Sequence, residues 1–348
     1  MENKDFPFVS IIIPCRNEEK FISKCLDSII AQNYPKDRIE VLVVDGRSMD
    51  RTREVVKGYT QKYPFIKLLD NPKRITPIAM NIGIKEAKGD VVILVNAHSI
   101  LDKDFLKYST AYLKKTGADA VGGKLNTIND NSSLVAQAIP LAADSTFGAG
   151  GKRYRTREEE GWVKDTLPYC AYPKKIFEKI GLIDEELIRD QDEEFNYRLL
   201  KSGGRIFFTP KIKSYLHIRP SLRKLWRQHF QYGYFKVRVA QKIGVIFTLR
   251  QLIPAIFVSS LIFTGVLSFF SKFFLGLFSL IICSYLLANF GFSLAIAIKK
   301  GLKFLPLLPI VFFTLHFSYG LGYLKGIWDF LIRKKHLKKK IKDIPLTR

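Results

Sequence analysis

The first 240 positions alternate between two kinds of segment. Short, nearly unbroken apolar runs occupy residues 9–13, 39–44 and 91–95. Runs of that length without polar alternation are strands covered on both faces. Between and after them, residues 18–31, 50–63, 76–88 and 102–115 place apolar side chains at helical spacing, with Phe21, Cys25, Ile29 and Ile30 on one face of the first. Pro14 closes the first run, while Pro77 near the start and Gly89 just past the end bracket the third helical stretch. Residues 67–69, 120–125 and 205–208 read as further strands, and 174–180 and 193–201 as short helices. Strands alternating with helices of this length predict an α/β fold, a mostly parallel sheet with helices on both faces. Residues 145–170 have no period and are rich in glycine and charge, as an active-site loop would be. Residues 221–239 are basic, aromatic and helically spaced, the pattern of a helix lying on a membrane surface.

From residue 249 onward the pattern changes. Residues 252–270 and 273–298 are apolar runs longer than a bilayer core requires, and 304–332 is a third, interrupted by Lys325 and Asp329. The expected organisation is a soluble domain over 1–220, an amphipathic interfacial helix over 221–248, a transmembrane region with about three hydrophobic segments over 249–332, and a basic tail over 333–348. Residues 1–5 are short and polar, so no leader segment is expected ahead of the first strand.

Charge sharpens this reading. The chain of 348 residues carries a net charge of +24, which raises the question of nucleic acid. The cations flank the apolar runs instead: Arg219, Arg223, Lys224, Arg227, Lys236, Arg238, Lys242 and Arg250 before them, Lys299, Lys300 and Lys303 between the second and third, and 333–342 after. Such clusters favour anionic membrane lipids, at about 1 kcal/mol per charge near the surface, and not nucleic acid. The positive-inside rule puts residues 1–248 and the loop at 299–303 in the cytoplasm of a multi-pass cell-membrane protein. The first two runs then form a hairpin turning near Ser271 and Lys272. Either the third run spans fully, against the charge bias of the tail, or it dips in and returns, broken near Gly320 and Gly322. Cys15, Cys25, Cys170 and Cys283 have no paired spacing, so neither a zinc site nor a disulfide framework follows.

Chemistry gathers where predicted strands end. The run at 91–95 leads into Asn96-Ala97-His98. Residues two apart at a strand end point the same way, and the carboxyl ends of a parallel sheet open onto the ligand crevice. An amide oxygen and an imidazole therefore stand side by side, both able to ligate a metal. Pro14-Cys15-Arg16-Asn17-Glu18 joins the first strand to the first helix. Its backbone amides suit a diphosphate and Arg16 adds a cation; the plainer reading is a strand-to-helix turn. Asp45 ends the second strand, placed to accept from a base N–H or a ribose hydroxyl, whereas Asp50 suits capping of the next helix. Lys73 and Arg74, ahead of the helix with Asn81 and Gly83, are phosphate partners or solvated charge. Asp190-Gln191-Asp192-Glu193-Glu194 packs four carboxylates into five positions. Their mutual repulsion favours a raised pKa and a general base; the alternative is an acidic helix start favoured by the macrodipole. Gln228, Gln231 and Tyr232 belong either to a substrate lid or to a membrane-surface helix.

Taken in order, these pieces resemble the family 2 inverting glycosyltransferases of the GT-A fold. The matching stretches are 9–18, 41–52, 81–90, the strand end at 96–98, and 190–199. The likeness is closer to the membrane glucosyltransferases of succinoglycan-type exopolysaccharide synthesis, in which the strand end commonly reads Asp-Ala-His and a loop like Phe147-Gly148-Ala149-Gly150 precedes the acidic motif. The resemblance implies a GT-A domain, Rossmann-like, and a nucleotide-diphosphate-sugar donor, a UDP-sugar. It implies nucleotide contacts from Pro14, Arg16, Asn17, Glu18, Asp45, Lys73, Asn81 and Asn96, and Asp192 as the base. Asp190, Gln228, Gln231 and Tyr232 fall on the acceptor or lid side. His98 and Asn96 would hold a divalent cation, with imidazole favouring Mn²⁺ over Mg²⁺. Two departures stand out: Gln191 replaces the family's glutamate, and Asn96 its first aspartate. The implied acceptor is a lipid-linked or growing glycan, with polyprenyl phosphate or a non-catalytic membrane partner as alternatives.

Overall fold

The computed structural model describes residues 6–128, 133–148, 153–217, 221–244 and 249–334. Residues 149–152, which include the end of the family-like loop at 147–150, lie outside the described residues. So do Arg219, residues 245–248, and the basic tail beyond residue 334. The chain divides into two units. One is Met1–Ile128 with Tyr154–His217; the other is Asn129–Arg153 with Ile218–Arg348.

The first unit is built on a sheet of nine strands: β1 (Val9–Cys15), β2 (Ile39–Asp45), β3 (Ile66–Asp70), β4 (Val91–Leu94), β5 (Ser99–Leu101), β6 (Ala120–Ile128), β7 (Gly161–Val163), β8 (Ala171–Pro173) and β9 (Ile206–His217). Its order is β3-β2-β1-β4-β8-β6-β9-β5, with β7 paired to β9. The half made of β3, β2, β1 and β4 is parallel throughout, as expected. The other half is not. β8 is antiparallel to both β4 and β6, and β5 and β7 are antiparallel to β9. The expectation of a mostly parallel sheet is therefore corrected to a mixed one. The helices are α1 (Ile22–Ile30), α2 (Thr52–Lys62), α3 (Thr76–Glu86), α4 (Phe105–Thr116), α5 (Leu134–Ala143), the single turn α6 (Arg153–Thr156), α7 (Lys175–Ile180) and α8 (Gln191–Lys201); α5 belongs to the second unit.

Strand residues alternate between two cores. Ile11, Ile13, Val41, Val43 and Ile93 join Cys25, Leu26, Val56, Phe105 and Leu106 on one face. Ile12, Leu42, Val44, Val92 and Leu94 join Ala79, Ile84, Phe177, Phe195 and Leu199 on the other. Side chains that alternate sides at period 2, with helices on both, explain why the runs in β1, β2 and β4 carry almost no polar residue. α3 approaches β1 because residue 83 is glycine: a Cβ there would lie 2.3 Å from Ile12 Cγ2.

The second unit contains α5, α9 (Leu222–Ile243), α10 (Ile253–Leu267), α11 (Lys272–Lys300) and α12 (Leu308–Gly326), which continues as a π-helix over Ile327–Ile332. Two of its helical stretches, Arg250–Leu267 and Lys272–Lys300, are long and apolar enough to cross a membrane. They expose Ile256, Phe263, Leu280, Leu287 and Phe290, and they turn between Leu267 and Lys272 as the hairpin reading requires. The third apolar run behaves differently. α12 is continuous through Gly320 and Gly322, so of the two readings of this run the one with a break at these glycines is not supported. These glycines serve close approach instead. A Cβ at 322 would meet Phe230 O at 2.0 Å, one at 233 Tyr319 O at 2.1 Å, and one at 320 Pro254 O at 2.5 Å. α12 thus lies backbone against backbone on α9, with Leu308, Val311, Phe312, Leu315 and Tyr323 buried. Lys325 and Asp329, which interrupt the run, pair at 3.0 Å, and the buried Asp329 also accepts from Tyr234 Oη at 3.1 Å.

Candidate active site

The parallel register sets Cys15, Asp45 and Asp70 in one row at the carboxyl ends of β1, β2 and β3. Asp45 has no exposed surface. It accepts from Ser48 Oγ at 2.5 Å and Ser48 N at 3.1 Å, and Arg53 Nη1 reaches it at 2.7 Å. The same Arg53 nitrogen lies 3.2 Å from Asp70, which also pairs with Arg47 at 3.3 Å. The Asp45 and Asp70 carboxylates hold the Arg53 guanidinium above its ordinary pKa, with the Asp45 hydrogen bond the largest cause. The immediate task of Asp45 is therefore to shape the Gly46–Ser48 turn.

The turn after β1 is closed in a similar way. The amides of Asn17, Glu18 and Glu19 donate to Ser48 Oγ, Thr52 Oγ1 and Asp50 Oδ2 at 2.8, 2.8 and 3.2 Å. Asn17 Oδ1 accepts in return from Met49 N at 2.9 Å. These amides are committed to the protein, and α1 begins only at Ile22. The expected backbone site for a diphosphate is thus not formed by residues 17–19. Pro14 is a buried member of β1 opposite Val44 and does not line the crevice. Arg16 does come to the strand ends: a Cβ at Gly46 would touch Arg16 side-chain carbons and Arg74 Cα, all at 3.4 Å. Lys73 is exposed on the same loop as Arg74. Cations from the β1 and β3 ends so flank the β2 turn. Asn81 is elsewhere. Buried, it donates to Ile183 O at 2.9 Å and Glu185 Oε1 at 3.1 Å and accepts from Ile183 N at 3.0 Å. Its side chain ties α3 to the segment that leads to α8.

Beyond β4 lies the other half of the site. Asn96 Nδ2 donates to Tyr169 Oη at 3.0 Å. His98 Nδ1 lies 3.4 Å from Glu18 Oε1, so the buried Glu18 faces the imidazole from the β1 turn. The antiparallel register, Ile93 opposite Ala171, carries the chain back through Cys170 to Tyr169 as β4 runs on toward Asn96. The charge of Asp192 bears on Tyr169, Cys170 and Tyr172, which ties the acidic motif to this end of the sheet. Asp192 is exposed in the first turn of α8, and Asp190 ahead of it is buried and left-handed at φ 59°. Neighbouring residues of α8 hold its position. Asn196 bonds Tyr172 Oη, Thr166 Oγ1 and Leu167 O. Glu194 and Arg198 form a two-point pair, and Arg198 also donates to Ile180 O and Leu182 O. Glu194 is therefore neutralised locally, so the four carboxylates do not act as one repelling cluster.

Five of the six left-handed non-glycine residues among those described, Asn17, Arg47, Arg74, Tyr169 and Asp190, lie on these loops. Such backbone is costly for side chains other than glycine, and it concentrates where a site must be shaped. Among the described residues, no three His, Cys, Asp or Glu side chains form a metal-binding group. A cation held by one or two protein ligands together with substrate phosphates needs no such cage, and Glu18, His98 and the Asn96 oxygen are donors suited to that mode. Gln228, Gln231 and Tyr232 are on α9 of the second unit. Gln231 is buried and Gln228 Nε2 donates to Tyr232 Oη at 2.8 Å, a bond along the helix that fits a packed helix better than a mobile lid.

The family model for glycosyl transferase family 2 matches residues 10–181. The dolichyl N-acetyl-alpha-D-glucosaminyl phosphate 3-beta-D-2,3-diacetamido-2,3-dideoxy-beta-D-glucuronosyltransferase of Methanococcus voltae is 33% identical over 335 residues, 92% of this chain and 97% of that protein. The chain belongs to glycosyltransferase family 2. Succinoglycan biosynthesis protein ExoA of Rhizobium meliloti is 27% identical, over 92% of this chain and 95% of its own, in line with the likeness read from the motifs. Among solved structures, the mannosyltransferase PcManGT of Pyrobaculum calidifontis, in complex with GDP-Man and Mn²⁺, aligns with a TM-score of 0.60 at 19% identity, covering 94% of this chain and 89% of its own. This bears out the GT-A, Rossmann-like fold with its mixed sheet. The glycosyltransferase activity follows from the family.

Sequence reading missed Tyr169, Arg53 and the pairing of Glu18 with His98. Arg53 stands eight residues from Asp45 and across a turn. Tyr169 lies in a stretch without period, and only the β4–β8 register reveals it.

Proposed function

We propose that this family 2 glycosyltransferase transfers a sugar with inversion from a nucleotide-diphosphate sugar, a UDP-sugar, to a lipid-linked glycan at the cytoplasmic face of the membrane. One observation carries the reading: the exposed Asp192 lies at the same sheet end as Asn96, His98 and Glu18, with Arg16, Lys73 and Arg74 on neighbouring loops. An acceptor hydroxyl oxygen attacks the anomeric carbon while the bond from that carbon to the diphosphate breaks. Asp192 takes the hydroxyl proton, and the nucleoside diphosphate leaves with the bonding pair. General-base help of this kind is worth about 10²–10⁴-fold. Arg16 and the Lys73–Arg74 loop offer cations to the departing diphosphate. His98 Nε2, with Glu18 on Nδ1, and the Asn96 oxygen would hold a divalent cation, Mn²⁺ or Mg²⁺, which when bound supplies further charge stabilisation.

The acceptor class rests on the relative from Methanococcus voltae, whose name contains a dolichyl-linked phosphosugar. α10 and α11, exposed and apolar, support membrane residence beside such a lipid. Thermal-shift titration of the full chain with a panel of UDP- and GDP-sugars plus Mn²⁺ tests the donor: UDP-sugars should stabilise it, and stabilisation by GDP-sugars alone would overturn that choice. Acid treatment of the product tests the acceptor. A sugar released by mild acid marks transfer to polyprenyl phosphate; a resistant linkage marks transfer to a glycan. A reporter fused after Lys342 tests topology: an extracytoplasmic signal fits three full spans, and a cytoplasmic signal fits a third segment that does not cross.

A further inference from the structure

Asn96 occupies the corner where a metal-assisted transferase of this fold would be expected to present a carboxylate. A carboxylate has two equivalent oxygens, whereas a carboxamide has two unlike ends, an acceptor and a donor. Which end faces the crevice decides whether the residue can ligate a cation at all. In the structure that choice is made by Tyr169. The Asn96 amide nitrogen donates to Tyr169 Oη at 3.0 Å, and the phenol shares a second hydrogen bond with Ser99 Oγ at 2.6 Å. Ser99 is 1% exposed at the head of β5, so this anchor is fixed. Tyr169 is itself held left-handed at φ 48°, a conformation that bulky residues rarely adopt without compensation. The phenol oxygen accepts from the amide, and its hydroxyl can donate to Ser99 Oγ. Two residues further along, Glu18 faces His98 Nδ1, which leaves Nε2 as the imidazole's second donor atom.

We propose that Tyr169 is a positioning residue that fixes the Asn96 amide with its oxygen toward a nucleotide-bound divalent cation, so that a neutral side chain serves where a carboxylate would otherwise stand. This rests on the donor reading given above. It explains how the corner tolerates asparagine: the tyrosine supplies the orientation that a symmetric carboxylate does not need. It also makes a prediction that a merely structural tyrosine would not. Removing the hydroxyl must matter when residue 96 has two unlike ends and must matter little when its ends are alike.

The test is a cycle of Tyr169→Phe, Asn96→Asp and the double substitution in the full chain, solubilised in detergent. Mn²⁺ affinity in the presence of UDP is read from the free-ion electron paramagnetic resonance signal, with no turnover required. Tyr169→Phe should weaken Mn²⁺ binding about tenfold in the Asn96 background, equivalent to about 1.4 kcal/mol. Asn96→Asp should tighten it, and adding Tyr169→Phe to Asn96→Asp should change it by less than about twofold. Equal losses in both backgrounds, no loss in either, or tighter binding on Tyr169→Phe alone would overturn the positioning role. Absence of UDP-dependent Mn²⁺ binding in the unsubstituted chain would instead overturn the metal-assisted donor reading on which it rests. Ser99→Ala releases the other partner of the phenol. It should give the same background dependence at smaller amplitude, and equal effects in both backgrounds would again overturn the role.

Discussion

At the ends of β1, β2 and β3, acidic side chains are held by partners from other elements. Asp45 is held by Ser48 and Arg53, Asp70 by Arg47 and Arg53, and Asp50 by Thr52 and the Glu19 amide. Beyond β4 the arrangement is looser. Asp192 is exposed, His98 meets Glu18 at 3.4 Å, and Asn96 is steered by one phenol. The first half is braced by the protein's own hydrogen bonds and ion pairs, which suits the proposed role of presenting fixed cations and turns to a nucleotide. The second half leaves Asp192 exposed to solvent, which suits the proposed role of a base that accepts a proton from an entering hydroxyl. Substitutions in the two halves should therefore fail differently: chemistry and metal on one side, stability on the other.

The largest effect is expected on the β4 side. Asp192→Asn should lower the transfer rate by about 10²–10⁴-fold while leaving UDP affinity within about twofold. Single-turnover kinetics with isothermal titration separate the two quantities, and an unchanged rate would remove Asp192 from the role of base. His98→Ala comes next. It should raise the Mn²⁺ concentration for half-maximal activity by about 10–100-fold with little change in thermal midpoint. An unchanged metal requirement would make the imidazole a packing residue.

On the β1–β3 side the readout shifts to folding. Arg53→Ala leaves the fully buried Asp45 with only Ser48 and its neighbours. Leaving a buried acceptor short of a partner costs about 1–3 kcal/mol, and more when it is charged, so a clear fall in thermal midpoint is expected even without nucleotide. A loss of activity at unchanged stability would mean that Arg53 works on the ligand, and would erase the contrast between the halves.

How far the sequence reached follows the same division. The parallel half was legible because β1, β2 and β4 are long apolar runs and their helices have a clean period. β5, β7 and β8 escaped because three-residue strands carry no period, and their antiparallel pairing turns the expected parallel sheet into a mixed one. Asp45 was found at a strand end, but its partner Arg53 was not, since the pair forms across a turn rather than at helical spacing. Asp192 was found as part of an acidic stretch. Glu194 and Arg198 lie one turn apart on α8, within the helix expected over 193–201, so their pairing was open to the spacing even though the acidic stretch drew the attention. The glycines of α12 left a break open as one reading of the third run; in the structure Gly322 and Gly320 allow close contacts with α9 and α10 that other residues would block.

The smallest effect belongs to Asp50, and it tests the rigid half by pH. Burial disfavours its charge, but hydrogen bonds from the Thr52 hydroxyl and amide and from the Glu19 amide win, and its pKa is lowered in the folded state. A carboxyl with a folded value below its unfolded one contributes stability above the unfolded value and loses it as pH falls through the folded one. Asp50→Ala should therefore lower stability by about 1 kcal/mol at neutral pH, the order of a lost hydrogen bond to a partly exposed group. The gap between substituted and unsubstituted chains should close as pH drops below the ordinary carboxylate range. Thermal midpoints measured from pH 7 downward read this directly. A gap that stays constant with pH would assign the loss to packing around Thr52 and not to the charge that ties α2 to the turn after β1.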